Sequence, residues 1–400
     1  MNDPVILITN SCPFHGEVFL QNELEYVPAD QQIFLFPILL GKFDPLKNWD
    51  KPNIRVVTDG AFPSAGEKLA ALAHALIAPF RNRELREIFH RPDPLRNLLK
   101  AVKFAFLADS RARAIHRWLK ANPTGGTPTF YSYWFYESAY TAARLRRQYP
   151  GSRFISRCHG YDLYEIRHPG GYLPFRTFLT EQVDRLCPIS QDGVDYISER
   201  FPDCSLRLSR LGTADHGLCV GEKDPVPTLV SCSGLVDVKR LDLLIRGLAL
   251  CDRPVRWVHF GDGPLKESLR QQAQALPRHI QWQFMGNVPN EALMDFYKHH
   301  YVDFFINVSR SEGVPVSIME ALSFGIPAIA TDVGGTHEIV IDGHNGLLLP
   351  ADPEPAAIAE AICRLTDGDA SEYRVNARAI WQERCDAAAN YRNFYEMLDQ

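Results

Sequence analysis

Long apolar runs are missing from this sequence: none approaches the roughly 20 residues that a helix needs to span a bilayer. The first residues, MNDPVILITNSCPF, carry no basic start and read as a first strand rather than a signal peptide. Cysteine occurs nine times but always singly, without the paired spacing of a zinc site or a disulfide framework, and this fits a reducing compartment. A large charge of one sign is lacking too. The formal net charge of −5, with both signs mixed, gives no argument for nucleic acid as a partner. Together these absences predict a soluble cytoplasmic protein.

A complete Gly-x-Gly-x-x-Gly turn is also absent. GDGPLKESL supplies Gly261 and Gly263 but puts Lys266 where the third glycine belongs. It reads as a strand-to-helix turn, which disfavours an NAD-dependent oxidoreductase. Asp367, Gly368 and Asp369 fall between C-terminal helices, away from strand ends, and read as a turn and cap rather than a metal site.

What the chain does contain is 400 residues of alternating short apolar strands and helical stretches, enough for two domains. In the first half, strands are predicted over 5–9, 32–37, 54–57, 129–134, 153–158, 183–189 and 205–211. Helices are predicted from residue 17, over 67–76, through most of 81–120, and over 137–148 and 191–200. The stretch 212–227, rich in Gly and Pro and without periodicity, reads as a linker. The alternation then restarts at TLVSCSG and continues to residue 350, followed by a helical tail. The expected class is α/β, with two doubly wound parallel sheets.

The stretch VDFFINVSRSEGVPVSIMEALSFGIPAIATDVGGTHEIVIDGHNGLLLP, 302–350, organises the second half. An apolar strand empties into Ser309, Arg310, Ser311 and Glu312, and a helix begins near Pro315, whose missing N–H would be unpartnered in a first turn anyway. Glu312 precedes that helix and Glu320 lies inside it, so the two carboxylates can engage different parts of one extended ligand. Free amides of the helix start lie between them. A helix N-terminus beyond a strand's carboxyl end attracts phosphate, which points to a nucleotide diphosphate.

EGVPVSIMEALSFGIPAIATDVGGTHEIV resembles the E-x7-E signature and Gly-Gly segment of the retaining GT-B glycosyltransferases of family four, the glycosyl transferases group 1. TNSCPFHGEVFLQNELEYV resembles the opening of bacterial exopolysaccharide transferases of that family, a group that includes capsule and O-antigen types. WQERCDAAANYRNFYEML resembles its terminal helix, which crosses back onto the first domain. The resemblance implies two Rossmann-like domains facing a cleft: 1–212, joined by the helix 385–400, on the acceptor side, and 213–384 on the nucleotide-sugar side. It implies metal-independent, retaining transfer of a sugar to a glycan or lipid-linked saccharide in cell-surface polysaccharide synthesis. No cofactor is expected, the nucleotide-sugar being a substrate.

By the same resemblance, Glu320 holds the ribose and Glu312 meets the transferred sugar. The amides of Gly313, Val314, Pro315's neighbourhood and Val316 meet the phosphates, and Lys239 neutralises the leaving diphosphate. Asn287 and Val288 border the base, and Gly16 approaches the diphosphate or acceptor. His159, at the mouth of the 153–158 strand with Gly160 and Asp162, meets the donor sugar. One departure stands out: the family's Arg five residues before the Lys is here Gly234, leaving Arg240 or another Arg as a substitute. A sugar-nucleotide epimerase or a non-catalytic nucleotide-sugar binder of the same fold are the rival readings.

Between residues 81 and 120 eleven Lys and Arg stand against four Asp and Glu, a surplus of +7. Leu95, Leu98, Leu99, Val102, Phe104, Phe106 and Leu107 are interleaved with them. Such a segment is expected either to rest on an anionic membrane face or to be a solvated helical face.

Overall fold

The structure is a computed structural model describing residues 3–12, 18–40, 51–60, 62–367 and 370–398. Gly16, and Gly368 and Asp369 of the acidic turn, lie outside the described residues. The chain divides into two compact units, Met1–Ser209 with Tyr391–Gln400, and Arg210–Asn390.

The first unit is built on β1 (Val5–Cys12), β2 (Ile33–Leu40), β3 (Ile54–Val56), β4 (Thr129–Ser132), β5 (Arg153–Cys158) and β6 (Arg185–Pro188). All pair in parallel, in the order β3-β2-β1-β4-β5-β6. Val5 to Ile8 are buried throughout, as expected of an inner strand covered by helices on both faces. Its helices are α1 (Val18–Glu25), α2 (Ala65–Arg81), α3 (Glu84–Phe89), α4 (Pro94–Ala121), α5 (Glu137–Arg146), α6 (Arg176–Gln182) and α7 (Gln191–Arg200).

The second unit repeats the plan with β7 (Thr228–Cys232), β8 (Val255–Phe260), β9 (Ile280–Gly286), β10 (Phe304–Asn307), β11 (Ala328–Thr331) and β12 (Gly346–Leu349). Their order, β12-β11-β10-β7-β8-β9, is the same winding counted from this unit's own first strand. In each sheet the strand order therefore reverses once, between β1 and β4 and between β7 and β10. Ligands of open α/β sheets bind beyond the strand ends at such a reversal. Its helices are α8 (Leu241–Leu248), α9 (Lys266–Ala273), α10 (Asn290–His299), α11 (Val316–Ser323), α12 (Pro355–Asp367), α13 (Ser371–Arg384) and the start of α14 (Ala387–Leu398).

Three local expectations need correction. Helix α2 runs on to Arg81 through a buried Pro79, because a Ser64–Glu67 capping box fixes its start and packing on α4 outweighs the lost N–H. Residues 205–211 form no strand; they run beside β6 with a single bridge, Leu186 to Leu206. The 212–227 stretch is fastened rather than free: Thr213 bridges Asp386, and Val220 N–H donates to the Lys298 carbonyl. At Gly212 and Gly221 a Cβ would come within 2.4 Å of Ala387 and 2.5 Å of the His299 carbonyl, so both glycines permit close backbone contact.

The last helix presents Tyr391, Phe394 and Tyr395 to the first unit. The Arg157 guanidinium lies 4.0 Å from the Phe394 ring centre and forms an ion pair with Glu23 at 2.8 Å, with both side chains fully buried.

Candidate functional site at the second sheet's strand reversal

β7 and β10 are neighbours, and the loops leaving them carry the polar groups that the sequence singles out. After β7 the chain makes a short 3-10 turn, Asp237–Lys239, and then places Arg240 in a left-handed conformation at φ 49°. Arg240 is no spare phosphate ligand. Its guanidinium donates to the carbonyls of Val308 (2.7 Å), Ser309 (3.0 Å) and Ala351 (2.8 Å) and pairs with Asp352, so it fastens the two neighbouring loops together. The Arg310 amide, bonded to the Val238 carbonyl at 2.8 Å, adds a second tie.

The loop after β10 is shaped by Asn307. Its side-chain oxygen accepts from the Ser309 amide at 2.9 Å, while its amide group donates to Glu312 Oε1 at 3.1 Å. Lys239 Nζ donates to the same oxygen at 2.6 Å. Lys239 and Glu312 are each half-buried, with side chains 25% and 12% exposed, so the pair is reachable from water. The floor beneath it needs a glycine: at Gly334 (φ 54°) a Cβ would sit 2.1 Å from the Glu312 carbonyl oxygen, and Gly335 N–H bonds the Gly313 carbonyl at 2.7 Å.

Helix α11 begins at Val316, one residue later than expected, with Pro315 as an extended N-cap that offers no side-chain bond. Ile318 and Met319 are the first amides to bond back, both to the Pro315 carbonyl. The amides of Val316 and Ser317 therefore have no partner within the helix. Glu320 is buried one turn on, and Asn290, the first residue of α10, donates to its Oε1 at 2.8 Å. Burial pushes the Glu320 carboxyl up to about 7, against the opposing pull of Asn290. The Cys232 thiol, at the end of β7, is pushed up to about 12 by burial and by the Glu320 charge, while Lys239 acts in the other direction.

Gly234, where the family's Arg is missing, is exposed, and a Cβ there would meet nothing nearer than the Asp262 carbonyl at 3.8 Å. Asn287 and Val288 leave β9 just before Asn290. Gly261 and Gly263 serve the turn itself: Cβ atoms there would lie 1.9 Å from the Ser233 carbonyl oxygen and 2.6 Å from that of Leu235.

His159 lies in the other unit. Its ring packs 4.4 Å from Trp134, 4.9 Å from Tyr133 and 5.7 Å from Phe19, centre to centre, and is buried. Asp162 Oδ2 is 3.7 Å from its Nδ1, too far for a hydrogen bond, while the His159 and Phe135 amides each donate to that carboxylate at 2.7 Å. Burial alone would raise the Asp162 carboxyl, but the facing imidazole and the two amides hold it below the usual range.

Within the second unit the structure thus brings together Lys239, Glu312 and the start of α11, with Glu320 close by. Asn290, Asn307 and Gly334 are parts of this site that sequence reasoning missed. An Asn closing the apolar run FFIN is a signal for Asn307; Asn290 has none, since its partner is thirty residues away.

Residues 220–382 match the sequence profile of the family "Glycosyl transferases group 1". The chain is 37% identical over 116 residues to the putative teichuronic acid biosynthesis glycosyltransferase TuaC of Bacillus subtilis, covering 29% of this chain and 26% of that protein. It is 34% identical over 149 residues to the D-rhamnosyltransferase WbpZ of Pseudomonas aeruginosa, covering 36% and 38%. The matches thus span well under half of these relatives. Among solved structures, Anabaena Alr3699/HepE in complex with UDP superposes with a TM-score of 0.69 at 17% identity over 99% of both chains. The lipopolysaccharide outer core galactosyltransferase WaaB in apo form gives 0.68 at 16%, again over 99% of both. The fold class is GT-B, with two six-stranded parallel sheets and flanking helices.

Proposed function

We propose that this protein is a retaining glycosyltransferase that moves a sugar from a nucleotide-sugar to a glycan or lipid-linked saccharide acceptor in cell-surface polysaccharide synthesis. The observation that carries the reading is the Lys239–Glu312 pair beside the amides of Val316 and Ser317, which have no partner within their helix, at the strand reversal of the unit that matches the group 1 family. The names of TuaC and WbpZ support the class of reaction, and that of TuaC, a teichuronic acid biosynthesis glycosyltransferase, supports the polysaccharide setting.

In this reading the diphosphate sits on the start of α11, where amide donors and the helix dipole meet its charge. Lys239 leaves Glu312 Oε1 for the phosphate oxygens, and Asn307 keeps Glu312 oriented toward the sugar hydroxyls. Glu320, held by Asn290, accepts hydrogen bonds from the ribose. As the bond between anomeric carbon and phosphate oxygen breaks, negative charge grows on the leaving diphosphate, and fixed donors aimed at it lower the barrier. A donor phosphate oxygen takes the acceptor's proton, so departure and attack share one face of the sugar and the configuration is kept.

A panel of nucleotide-sugars read by thermal shift tests this, since a ligand binding only the folded state raises the melting temperature once its concentration exceeds Kd. Uridine nucleotides come first, because the HepE neighbour was solved with UDP. At least one donor should raise the melting temperature, and its nucleotide should protect as well. A panel with no stabilising member sinks the reading.

A further inference from the structure

Helix α2 is amphipathic in the wrong sense for a surface helix. The side turned to the core carries Ala71, Ala75, Ala78 and Pro79, all buried. The side turned to solvent carries Leu69, Leu72, Leu76, Ile77 and Phe80, between 44% and 71% exposed. A solvated helix reverses this arrangement, with its large apolar side chains inward.

The face continues onto the neighbouring helices. Glu67 pairs with Arg117 at 2.8 Å and His74 stands 3.7 Å from Asp109, so α2 and α4 run antiparallel. That register puts Leu76 level with Leu107 and Phe80 level with Lys103. Leu95, Leu99 and Leu107 of α4, and Phe89 at the end of α3, are exposed as well. More than half of the exposed large apolar side chains among the described residues fall between Phe62 and Leu107. Isolated exposed apolar residues are ordinary, but a contiguous set of this extent marks an interaction surface.

The charge around it is more localised than the sequence suggests. Phe104 is buried in the core, and Leu98, Val102 and Phe106 pack against it. Arg111 is buried and bonds the Ile38 carbonyl, Arg113 pairs with Asp109, Arg117 with Glu67, and Arg91 with Glu165. The cations left over gather where α2 ends: a pocket of about 530 Å³ is lined by Arg81, Arg83, Arg86 and Arg147 against three carboxylates, the buried Glu84, the half-buried Glu87 and the exposed Glu181. Glu87 faces Arg91 at 3.8 Å. Arg96 and Lys103 are exposed on α4.

We propose that the outer face of α2, α3 and the first turns of α4 docks on an anionic bilayer, with its leucines and phenylalanines at the acyl boundary and the arginine pocket on lipid phosphates. Apolar side chains beside cations that have no carboxylate partner among the described residues fit the boundary between acyl chains and anionic headgroups. A second copy of this chain fits less well, because a twofold contact would set the same arginines against each other. No helix among the described residues is long and apolar enough to cross a membrane, so this is attachment to a surface. The inference goes beyond the transfer reaction and stands whether or not the donor site is as proposed.

The test is co-sedimentation of the full chain, at low and high salt, with vesicles of phosphatidylcholine alone and of phosphatidylcholine doped with phosphatidylglycerol. Binding should require phosphatidylglycerol and weaken with salt. Leu76→Glu with Phe80→Glu should lower the partition by at least about tenfold, since two large apolar side chains leave the boundary. Arg83→Ala with Arg86→Ala should lower it by about fivefold per arginine and flatten the salt dependence. All four positions are solvent-facing, so both variants should melt with the parent. Equal sedimentation with the two vesicle types, or unchanged binding in both double variants, overturns the proposal. So does a parent dimer that the Leu76→Glu, Phe80→Glu variant turns into a monomer.

Discussion

One cation–glutamate pair from each unit, Arg157–Glu23 at 2.8 Å and Lys239–Glu312 at 2.6 Å, has surroundings opposite to the other's. Arg157 and Glu23 in the first unit are fully buried and walled in by Tyr131, Phe394 and Tyr391. Lys239 and Glu312 in the second are open to water, with Asn307 and a helix start beside them. A sealed pair cannot exchange partners, so it fixes structure. An accessible one can trade one anion for another, and the choice of residue agrees: Arg supplies a rigid, always-charged fork for the sealed pair, Lys a compact mobile charge for the open one.

The largest effect that tests this contrast is on stability. Arg157→Met leaves Glu23 buried without its counter-charge and should cost about 3–5 kcal/mol. Chemical denaturation should show it, and adding Glu23→Gln should recover much of the loss. A shift under about 1 kcal/mol would mean that the pair is not structural.

Next comes Lys239→Ala, which should leave the melting temperature nearly unchanged while removing a charged hydrogen bond of roughly 1.5–3 kcal/mol from the bound diphosphate. With the donor found by the panel, kcat/KM should fall by about tenfold to a few hundredfold. Steady-state kinetics showing a change below about threefold would make the open pair as inert as a surface lysine.

A smaller effect concerns Glu320. With its carboxyl at about 7, the ionised form, which in the proposed reading accepts the ribose hydroxyls, is scarce below that pH and dominant above it. Nucleotide affinity should therefore rise by up to about tenfold from about pH 6 to about pH 8. Calorimetry on Glu320→Gln should give a flatter profile; an identical slope in that variant would assign the titration to another group.

The smallest change is a gain. Gly234 is not in the left-handed region and has room for a Cβ, so Gly234→Arg should fold normally and tighten nucleotide binding by up to about fivefold, the ordinary range for an exposed charge contact. Weaker binding in that variant would show that this position points away from the phosphates.

The fold was legible because inner parallel strands are short continuous apolar runs: ILIT, TLVS and FFIN all stand out between turn residues. Pro79 hid the last turns of α2, since a proline normally ends a helical pattern and only tertiary packing retains it here. The alternation in LRLSRL mimicked a strand at 205–211, but that segment meets β6 through a single bridge, Leu186 to Leu206. In the site, Glu312, Lys239 and Glu320 could be picked out because spacing and strand-end position are properties of the chain. Asn290, the service of Arg240 as a fastener, and the pressing of Gly334 on the Glu312 carbonyl are not. They depend on loops that meet only after both sheet halves have formed.

The N-cap of α11 has a consequence for motion. A Ser, Thr, Asp or Asn at that position would satisfy one of the first amides and stabilise the helix by about 1 kcal/mol. Pro315 satisfies none. If the diphosphate binds as proposed it takes the place of the missing cap, so the first amides of this helix should exchange with solvent most readily in the free protein and slow once the nucleotide is bound.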